Sequence, residues 1–262
     1  MYKWITALLL TGCIAFACKK EKSFEQDGNN PIIDSANYFP TTAQSTWKYE
    51  VHESFDFDTT LLQGIDLSQF GITQEELLAM LGESAVQDTT YTYTIVSSGD
   101  DTLMNGIHYT AMSSQEDGSE FYIGHDNGDY YLKGNLLGSA EAGLSDTLQT
   151  LFLKSDQAVG SSWQEQHVID GDTINYQYSI KARGIDKTVN GTTYKNVIQV
   201  EMLANLPEIE DPGIPGFQYI LSAFSQIRAE YFYAPDIGFI FYEMAPVIGN
   251  SVSVALIEAD IK

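Results

Sequence analysis

After residue 18 the chain has no cysteine. Its two cysteines, Cys13 and Cys18, stand near the start, so disulfides, cysteine-ligated zinc and thiol catalysis are excluded for everything that follows. Basic residues are scarce as well. Only 13 Lys and Arg face 36 Asp and Glu, a formal charge of -23 at pH 7, which repels phosphate backbones and argues against nucleic acid as a partner. Long apolar runs are also missing, with one exception at the very beginning.

That exception gives an address. Met1-Tyr2-Lys3 supplies a positive charge, and the apolar run from Trp4 to Ala17 ends at Cys18, where Lys19-Lys20-Glu21-Lys22 begins. The pattern is that of a secretory signal peptide over 1–17. It is short of the roughly 20 apolar residues that a membrane-crossing helix needs. Leu10-Thr11-Gly12-Cys13 and Ala15-Phe16-Ala17-Cys18 both set small residues before a cysteine. The first resembles the lipobox more closely, whereas the second removes the whole apolar run and puts the charged stretch directly after the lipid. Cleavage at Cys13 leaves Cys18 as an unpaired thiol in an oxidising compartment. Cys18 is therefore the expected lipidation point and Cys13 the alternative; a cleaved signal without lipid is the plainer reading. Residues 18–36, with Asp27-Gly28-Asn29-Asn30-Pro31, have charge and turn formers but no apolar period, as expected of a flexible tether.

From residue 37 to 262 the composition, 44% apolar and 12% aromatic over the whole chain, suffices for a single folded domain. Its main signal is alternation at period two. Ile174, Tyr176, Tyr178, Ile180 and Ala182 interleave with Thr173, Asn175, Gln177, Ser179, Lys181 and Arg183, one face apolar and one wet, as in a half-buried antiparallel strand. Similar runs surround Tyr91, Tyr194, Tyr231 and Val252, with shorter ones near Trp47, Phe121, Tyr130, Phe152, Trp163 and Phe239. Asn105-Gly106 and Asn190-Gly191 are hairpin dipeptides, because tight turns need positive φ at both central positions. The pattern predicts a mainly β domain of about ten to twelve strands, joined mostly as hairpins.

Two stretches point to helix. Thr73-Gln74-Glu75-Glu76 is a capping box ahead of Leu77, Leu78, Met80 and Leu81. Phe217, Ile220, Leu221, Phe224 and Ile227 recur at helical spacing after Pro212, Pro215 and Gly216. Each helix has one apolar stripe, and the concave face of the sheet is the surface expected to cover it.

A weak internal repeat, over about 45–135 and 161–245, keeps the order of its landmarks but not their spacing. Ser45-Thr46-Trp47 is echoed by Ser161-Ser162-Trp163, Asn105-Gly106-Ile107-His108-Tyr109 by Asn190-Gly191-Thr192-Thr193-Tyr194, and Asp129-Tyr130-Tyr131 by Glu230-Tyr231-Phe232-Tyr233. Asn37-Tyr38-Phe39-Pro40 with Ser45-Thr46-Trp47-Lys48-Tyr49, Val159-Gly160-Ser161-Ser162-Trp163, Val189-Asn190-Gly191-Thr192-Thr193-Tyr194-Lys195-Asn196-Val197 and Tyr231-Phe232-Tyr233-Ala234-Pro235-Asp236-Ile237-Gly238 resemble a series found in uncharacterised lipoproteins of Bacteroidota. Cys18-Lys19-Lys20-Glu21 is similar to their anchor, and Gln44 stands where the series has glycine. The resemblance spans nearly the whole mature chain. It implies a strongly curved antiparallel sheet like the half-barrel of lipoprotein carriers, with the two helices on its concave face. It implies no reaction and transfers no catalytic residue.

The remaining constellations have plain explanations. Asp117, Glu120, Asp126, Asn127 and Asp129 offer oxygen to calcium, but solvated turn carboxylates are commonplace in so acidic a chain. Asp170-Gly171-Asp172 reads as a hairpin turn. His52, His108, His125 and His167 lack metal-ligand spacing, and Gly143-Leu144-Ser145-Asp146 departs from a nucleophile elbow. Trp47 and Trp163 suit a core better than a sugar platform. No catalytic, metal or cofactor site is expected. The expectation is an envelope lipoprotein, anchored through its lipid to a membrane, with the outer membrane favoured. It is read as a non-catalytic binding module for a hydrophobic ligand or segment, with Phe217, Ile220, Leu221 and Phe224 as the speculative contact residues. The alternative is a structural protein of the envelope that meets another protein and takes no small molecule.

Overall fold

A computed structural model describes residues 36–55, 73, 88–134, 149–169, 172–205, 226–245 and 250–262. The chain divides into Met1–Asp34 and Ser35–Lys262. The first unit lies outside the described residues; the second is built around a core of its own. Its strands are β1 (Thr46–Phe55), β2 (Asp88–Met104), β3 (Ile107–Ser114), β4 (Glu120–Asp126), β5 (Asp129–Lys133), β6 (Gln149–Lys154), β7 (Ser162–Ile169), β8 (Asp172–Val189), β9 (Thr192–Asn205), β10 (Gln226–Ala234), β11 (Gly238–Ala245) and β12 (Asn250–Asp260).

They form one antiparallel sheet in the order β6-β5-β4-β3-β2-β1-β12-β11-β10-β9-β8-β7. Every strand thus lies beside its neighbour in sequence, except that β6 and β7 do not pair and the first and last strands do. The sheet is a meander curled into a nearly closed barrel, sealed by β1 and β12 and open along a seam between β6 and β7. Alternating strand direction sorts the connections into two sets. One end carries the short links, among them Asn105-Gly106, Asn127-Gly128 and Asn190-Gly191, with φ of 54° and 83°, 49° and 85°, and 47° and 80°; positive φ at both positions matches the twist of the flanking strands. Segment 36–40 enters at this tight-turn end and Lys262 leaves there. The other end receives the connections 56–87, 134–148, 206–225 and 246–249 and the turn at 115–119.

Alternation then decides what points inward. Trp47, Tyr49 and Val51 lie beside Ile95, Tyr93 and Tyr91, and contacts between strands that are not neighbours mark this face as the concave one. Tyr49 packs on Phe239 at 5.5 Å and its Oη donates to the Phe239 carbonyl at 3.1 Å. Trp47 Nε1 donates to the Ile237 carbonyl at 2.7 Å, and Phe152 meets Tyr233 at 5.7 Å. Segment 36–40 closes the tight-turn end, with Phe39 against Trp47 and Phe152 and the Tyr38 amide donating to Tyr130 Oη at 2.9 Å. Burial of each large side chain here contributes about 1.5–3 kcal/mol.

The two longest strands break register, β2 once and β8 three times, and bend their hairpins outward. The β8–β9 hairpin folds back over the convex face. Lys187 Nζ sits 3.9 Å and 4.2 Å from the ring centres of Phe232 and Phe241, and Asn190 Nδ2 donates to the Leu256 carbonyl of β12 at 3.1 Å. In the β2–β3 hairpin, Tyr109 covers Gly124, where an added Cβ would come 2.6 Å from the ring. On the convex side Glu201 is held between Lys181, at 2.9 Å, and Arg228, at 2.6 Å.

Two expectations need correction. The sheet is a nearly closed barrel of twelve strands, not a half-barrel, and no helix occurs among the described residues. Ile227, taken as the last position of the second helical stripe, lies in β10 opposite Ala204. Its period is two, shared with Ala229 and Tyr231, and the helical spacing runs into it by coincidence. Thr73 is not helical; residues 74–82 and 217–225 lie outside the described residues. At the tight-turn end the concavity is filled by the sheet's own aromatic residues and by Tyr38 and Phe39, so no covering helix is needed there.

Candidate functional site

The most polar stretch of the concave face is on β7. Trp163 pairs with Tyr178 and His167 with Ile174, so Trp163, Glu165 and His167 all face inward, along the seam. The Trp163 ring stacks on Tyr178 at 5.4 Å and 9°, and its Nε1 donates to the Leu151 carbonyl of β6 at 2.7 Å. The Leu151 amide in turn donates to the Glu165 carboxylate. Both backbone groups of an edge-strand residue are thus satisfied by side chains rather than by a partner strand, which blunts an edge otherwise ready to pair. Burial holds the Glu165 carboxyl above its ordinary pKa, against the lowering effect of the Leu151 amide and of nearby Lys154.

His167 closes the upper part of the seam. It is 3% exposed, its Nε2 lies 3.2 Å from Thr150 Oγ1, and its ring meets Tyr176 edge-on at 5.2 Å. Burial pushes its pKa down and favours the neutral imidazole. A hydroxyl beside an imidazole has the ingredients of an activated nucleophile. Here both partners are buried and the nearby carboxylate is engaged by a backbone amide, so the pair fastens the seam.

Above the packed floor the concave face changes character. Trp47, Ile95, Leu153, Ile180, Ile198 and Phe239, near the tight-turn end, are all 0% exposed. Toward the other end Tyr91, Val252, Met244, Ile227, Tyr176 and Ile174 are only half-buried. Register sets them side by side: Met244 faces Val252, Val252 faces Glu53, and Ile227 and Tyr176 flank Ala204. The result is an apolar and aromatic belt running from β2 through β1 and β12 to β8. Glu53 interrupts it, accepting a hydrogen bond from Tyr91 Oη at 2.9 Å.

Other residues singled out in the sequence are scattered. Asp117 and Glu120 lie at one end of β4, and Asp126, Asn127 and Asp129 at the other; no trio of potential metal ligands converges among the described residues. His108 Nδ1 pairs with Asp101 at 2.6 Å, His52 with Asp88 at 3.3 Å, and the His125 ring lies 4.5 Å from Tyr130. Cys13, Cys18, Phe217, Ile220, Leu221 and Phe224 lie outside the described residues, as does the segment around Ser145. Of the repeat landmarks, Trp47 and Trp163 open β1 and β7, and the two Asn-Gly turns end β2 and β8. The third pair falls on β5 and β10, whereas the strand order makes β11 the counterpart of β5. Glu53 and Glu165 escaped sequence reasoning. The available signal was the comparison of β1 with β7, where Tyr49 and Val51 stand at the places of Glu165 and His167.

No protein-family model and no curated protein matches the chain. Two solved structures have a similar fold. One is described as a "putative lipoprotein" from Parabacteroides distasonis, with a TM-score of 0.46, 8% identity, and coverage of 87% of this chain and 100% of that one. The other is described as a "putative exported protein with YmcC-like fold" from Bacteroides fragilis, with a TM-score of 0.46, 8% identity, and coverage of 86% and 100%. At this identity the likeness is one of fold.

Proposed function

We propose that the protein is a lipid-anchored lipoprotein of the cell envelope that binds, without catalysing a reaction, a hydrophobic ligand or apolar segment on the concave face of its sheet. The observation that carries this reading is the half-buried belt. A floor of fully buried aromatic residues gives way to contiguous apolar side chains that keep part of their surface open, the arrangement of a pre-formed apolar site with a few polar groups. The charged start, apolar run and Cys18, with Cys13 as the alternative, support the anchor. Acyl chains contribute about 0.8 kcal/mol per buried methylene, so two or more hold a protein on a membrane stably. The outer membrane is the membrane favoured. The first described residues, 36–40, lie at the tight-turn end of the domain, opposite the belt.

The test is native mass spectrometry with lipid extraction on Ser35–Lys262, the unit that contains the whole described core. A reproducible co-purifying hydrophobic ligand is the expected result. A ligand-free mass that stays unchanged with added lipids or detergents would overturn the reading and direct the search to envelope protein partners.

A further inference from the structure

The two halves of the sheet, β1–β6 and β7–β12, meet at two junctions. At one, β1 pairs with β12 from Thr46 opposite Asp260 to Phe55 opposite Asn250. At the other, β6 and β7 share no ladder, and side chains hold them together: Trp163 Nε1 on the Leu151 carbonyl, the Leu151 amide on Glu165, and Thr150 Oγ1 beside His167 Nε2. The internal repeat makes β7 the counterpart of β1. A carboxyl and an imidazole thus stand, at the junction that lacks a ladder, where the paired junction has Tyr49 and Val51, 0% and 1% exposed. We propose that this seam is an acid-sensitive side gate of the barrel: an imidazolium at His167 is disfavoured in the closed seam, so its protonation detaches β6 from β7 while the β1–β12 ladder holds. The gate does not depend on the concave face holding a ligand.

The surroundings of His167 set the direction. Its ring is bounded by Thr150 of β6 and Tyr176 of β8, a hydroxyl and an aromatic ring, and a protonated imidazole donates from both nitrogens. Among the described residues no carboxylate lies at ion-pair distance from it. His52 and His108 differ: both are open to solvent and face Asp88 and Asp101, at 3.3 Å and 2.6 Å. The charged groups nearest the seam are few. Glu165, two positions away on β7, is engaged by the Leu151 amide and has Lys154 of β6 nearby; Lys154 pairs with Asp129 of β5, and Tyr131 of β5 lies near Glu165. Lys154 opposes an imidazolium, whereas Glu165 favours one only while ionised, and burial narrows that range by raising its pKa. Burial also lowers the pKa of His167. The closed seam therefore keeps the ring neutral, the open seam returns it to water and to its ordinary value, and the open form gains population as pH falls below 6.5. Thr150 and Leu151 are adjacent in β6, so loss of the His167 contact frees the residue beside the one that Trp163 and Glu165 hold.

The molecule contains its own pair of reporters. Ser35–Lys262 has two tryptophans, Trp47 and Trp163. Trp163 Nε1 bonds across the seam to Leu151, and Trp47 Nε1 bonds to Ile237 on the paired side, each at 2.7 Å. Hydrogen exchange of the two indole protons, followed by NMR, reads local opening at each place, and the ratio of the two rates cancels the intrinsic pH dependence of indole exchange. From pH 7.5 to pH 5.5 the ratio of Trp163 to Trp47 should rise severalfold, with a ceiling of about tenfold for a single imidazole of ordinary open-state pKa. In His167→Gln the ratio should stay flat. A flat ratio in the native protein, whether both indoles accelerate together or neither does, would overturn the gate. An equal rise in His167→Gln would place the trigger elsewhere and overturn it as well. Should His167→Gln fail to fold, the native protein decides: the rise must level off at the pH where the His167 ring itself titrates, and a mismatch between the two rejects the assignment.

Discussion

Gln44 has φ of 67°, in the left-handed region. Its amide donates to the Ser97 carbonyl at 2.9 Å, and the Ser97 amide donates back to Ser45 at 2.9 Å. The same pair of bonds recurs in the second half, from Gly160 to Ile180 at 2.8 Å and from Ile180 to Ser161 at 3.0 Å, but there the left-handed position is glycine with φ of 88°. A side chain in this conformation costs roughly 1–2 kcal/mol, partly offset by the lower backbone entropy of a non-glycine in the unfolded chain. Gln44→Gly should therefore stabilise the domain by about 0.5–1 kcal/mol, read as a higher urea midpoint at unchanged slope. Tyr109 presents a second residue-level cost. Its Oη is buried and has no hydrogen-bond partner among the described residues, and burial followed by the neighbouring Tyr131 pushes its pKa up to about 12. Tyr109→Phe keeps the ring that covers Gly124 and removes the unsatisfied hydroxyl, so a gain of about 1 kcal/mol is expected in the same measurement.

At the scale of elements, the seam between β6 and β7 distinguishes this sheet from a fully paired barrel. Trp163 and Glu165 stand in for a ladder at Leu151, and His167 with Thr150 continues the closure. Trp163→Phe keeps most of the stacking on Tyr178 but leaves the Leu151 carbonyl without its donor, which should cost about 1–3 kcal/mol and speed amide exchange in β6 more than in β1 or β12. The seam is also sensitive to pH. His167 ionises less readily in the folded state than its ordinary value of 6.5, so its contribution is present above that value and is lost as pH falls through the depressed folded value. Glu165, whose pKa is raised, acts with the opposite sign: its contribution is complete below the unfolded carboxyl range and fades as pH rises through the folded value. The native protein's urea midpoint should therefore fall relative to that of His167→Gln from pH 7.5 to pH 5.5, the difference between the two isolating the His167 contribution from that of Glu165. A native–variant difference that does not change with pH would show that His167 does not contribute.

For the whole molecule, closure depends on the pairing of the first strand with the last. β12 lies between β1 and β11 and supplies Val254 and Leu256 to the core, and the Lys262 amide reaches back to Ser45 Oγ at 3.1 Å. Removing residues 250–262 would open a second seam opposite the first and split the sheet into two halves, β1–β6 and β7–β11, joined by the connection 155–161 and by the side chains across the β6–β7 seam. Such a truncation should lose cooperative unfolding and become sensitive to protease throughout. A chain cut between β6 and β7, around 156–159, breaks no ladder and should retain both. The two cleavage experiments thus separate a load carried by strand pairing from one carried by side chains.

The sequence alone determined the strands and the tight turns. A period of two in Ile174, Tyr176, Tyr178 and Ile180, and the positive φ that Asn-Gly dipeptides accept at low cost, are local properties of the chain. They are legible wherever one face of a strand is buried and the other wet. Two features defeated that reading. Ile227 belongs to a helical spacing and to a strand alternation at once, and local periodicity cannot choose between them; its pairing with Ala204 does. Glu165 is polar at an inward position, which alternation by itself reads as a strand of poor pattern. Only closure of the barrel brings Leu151 of β6 to its carboxylate and Thr150 to His167. Whether the concavity is filled or open, and which charges face it, was likewise decided by the tertiary structure, because both follow from the register of strands far apart in sequence and from the curl that sets them face to face.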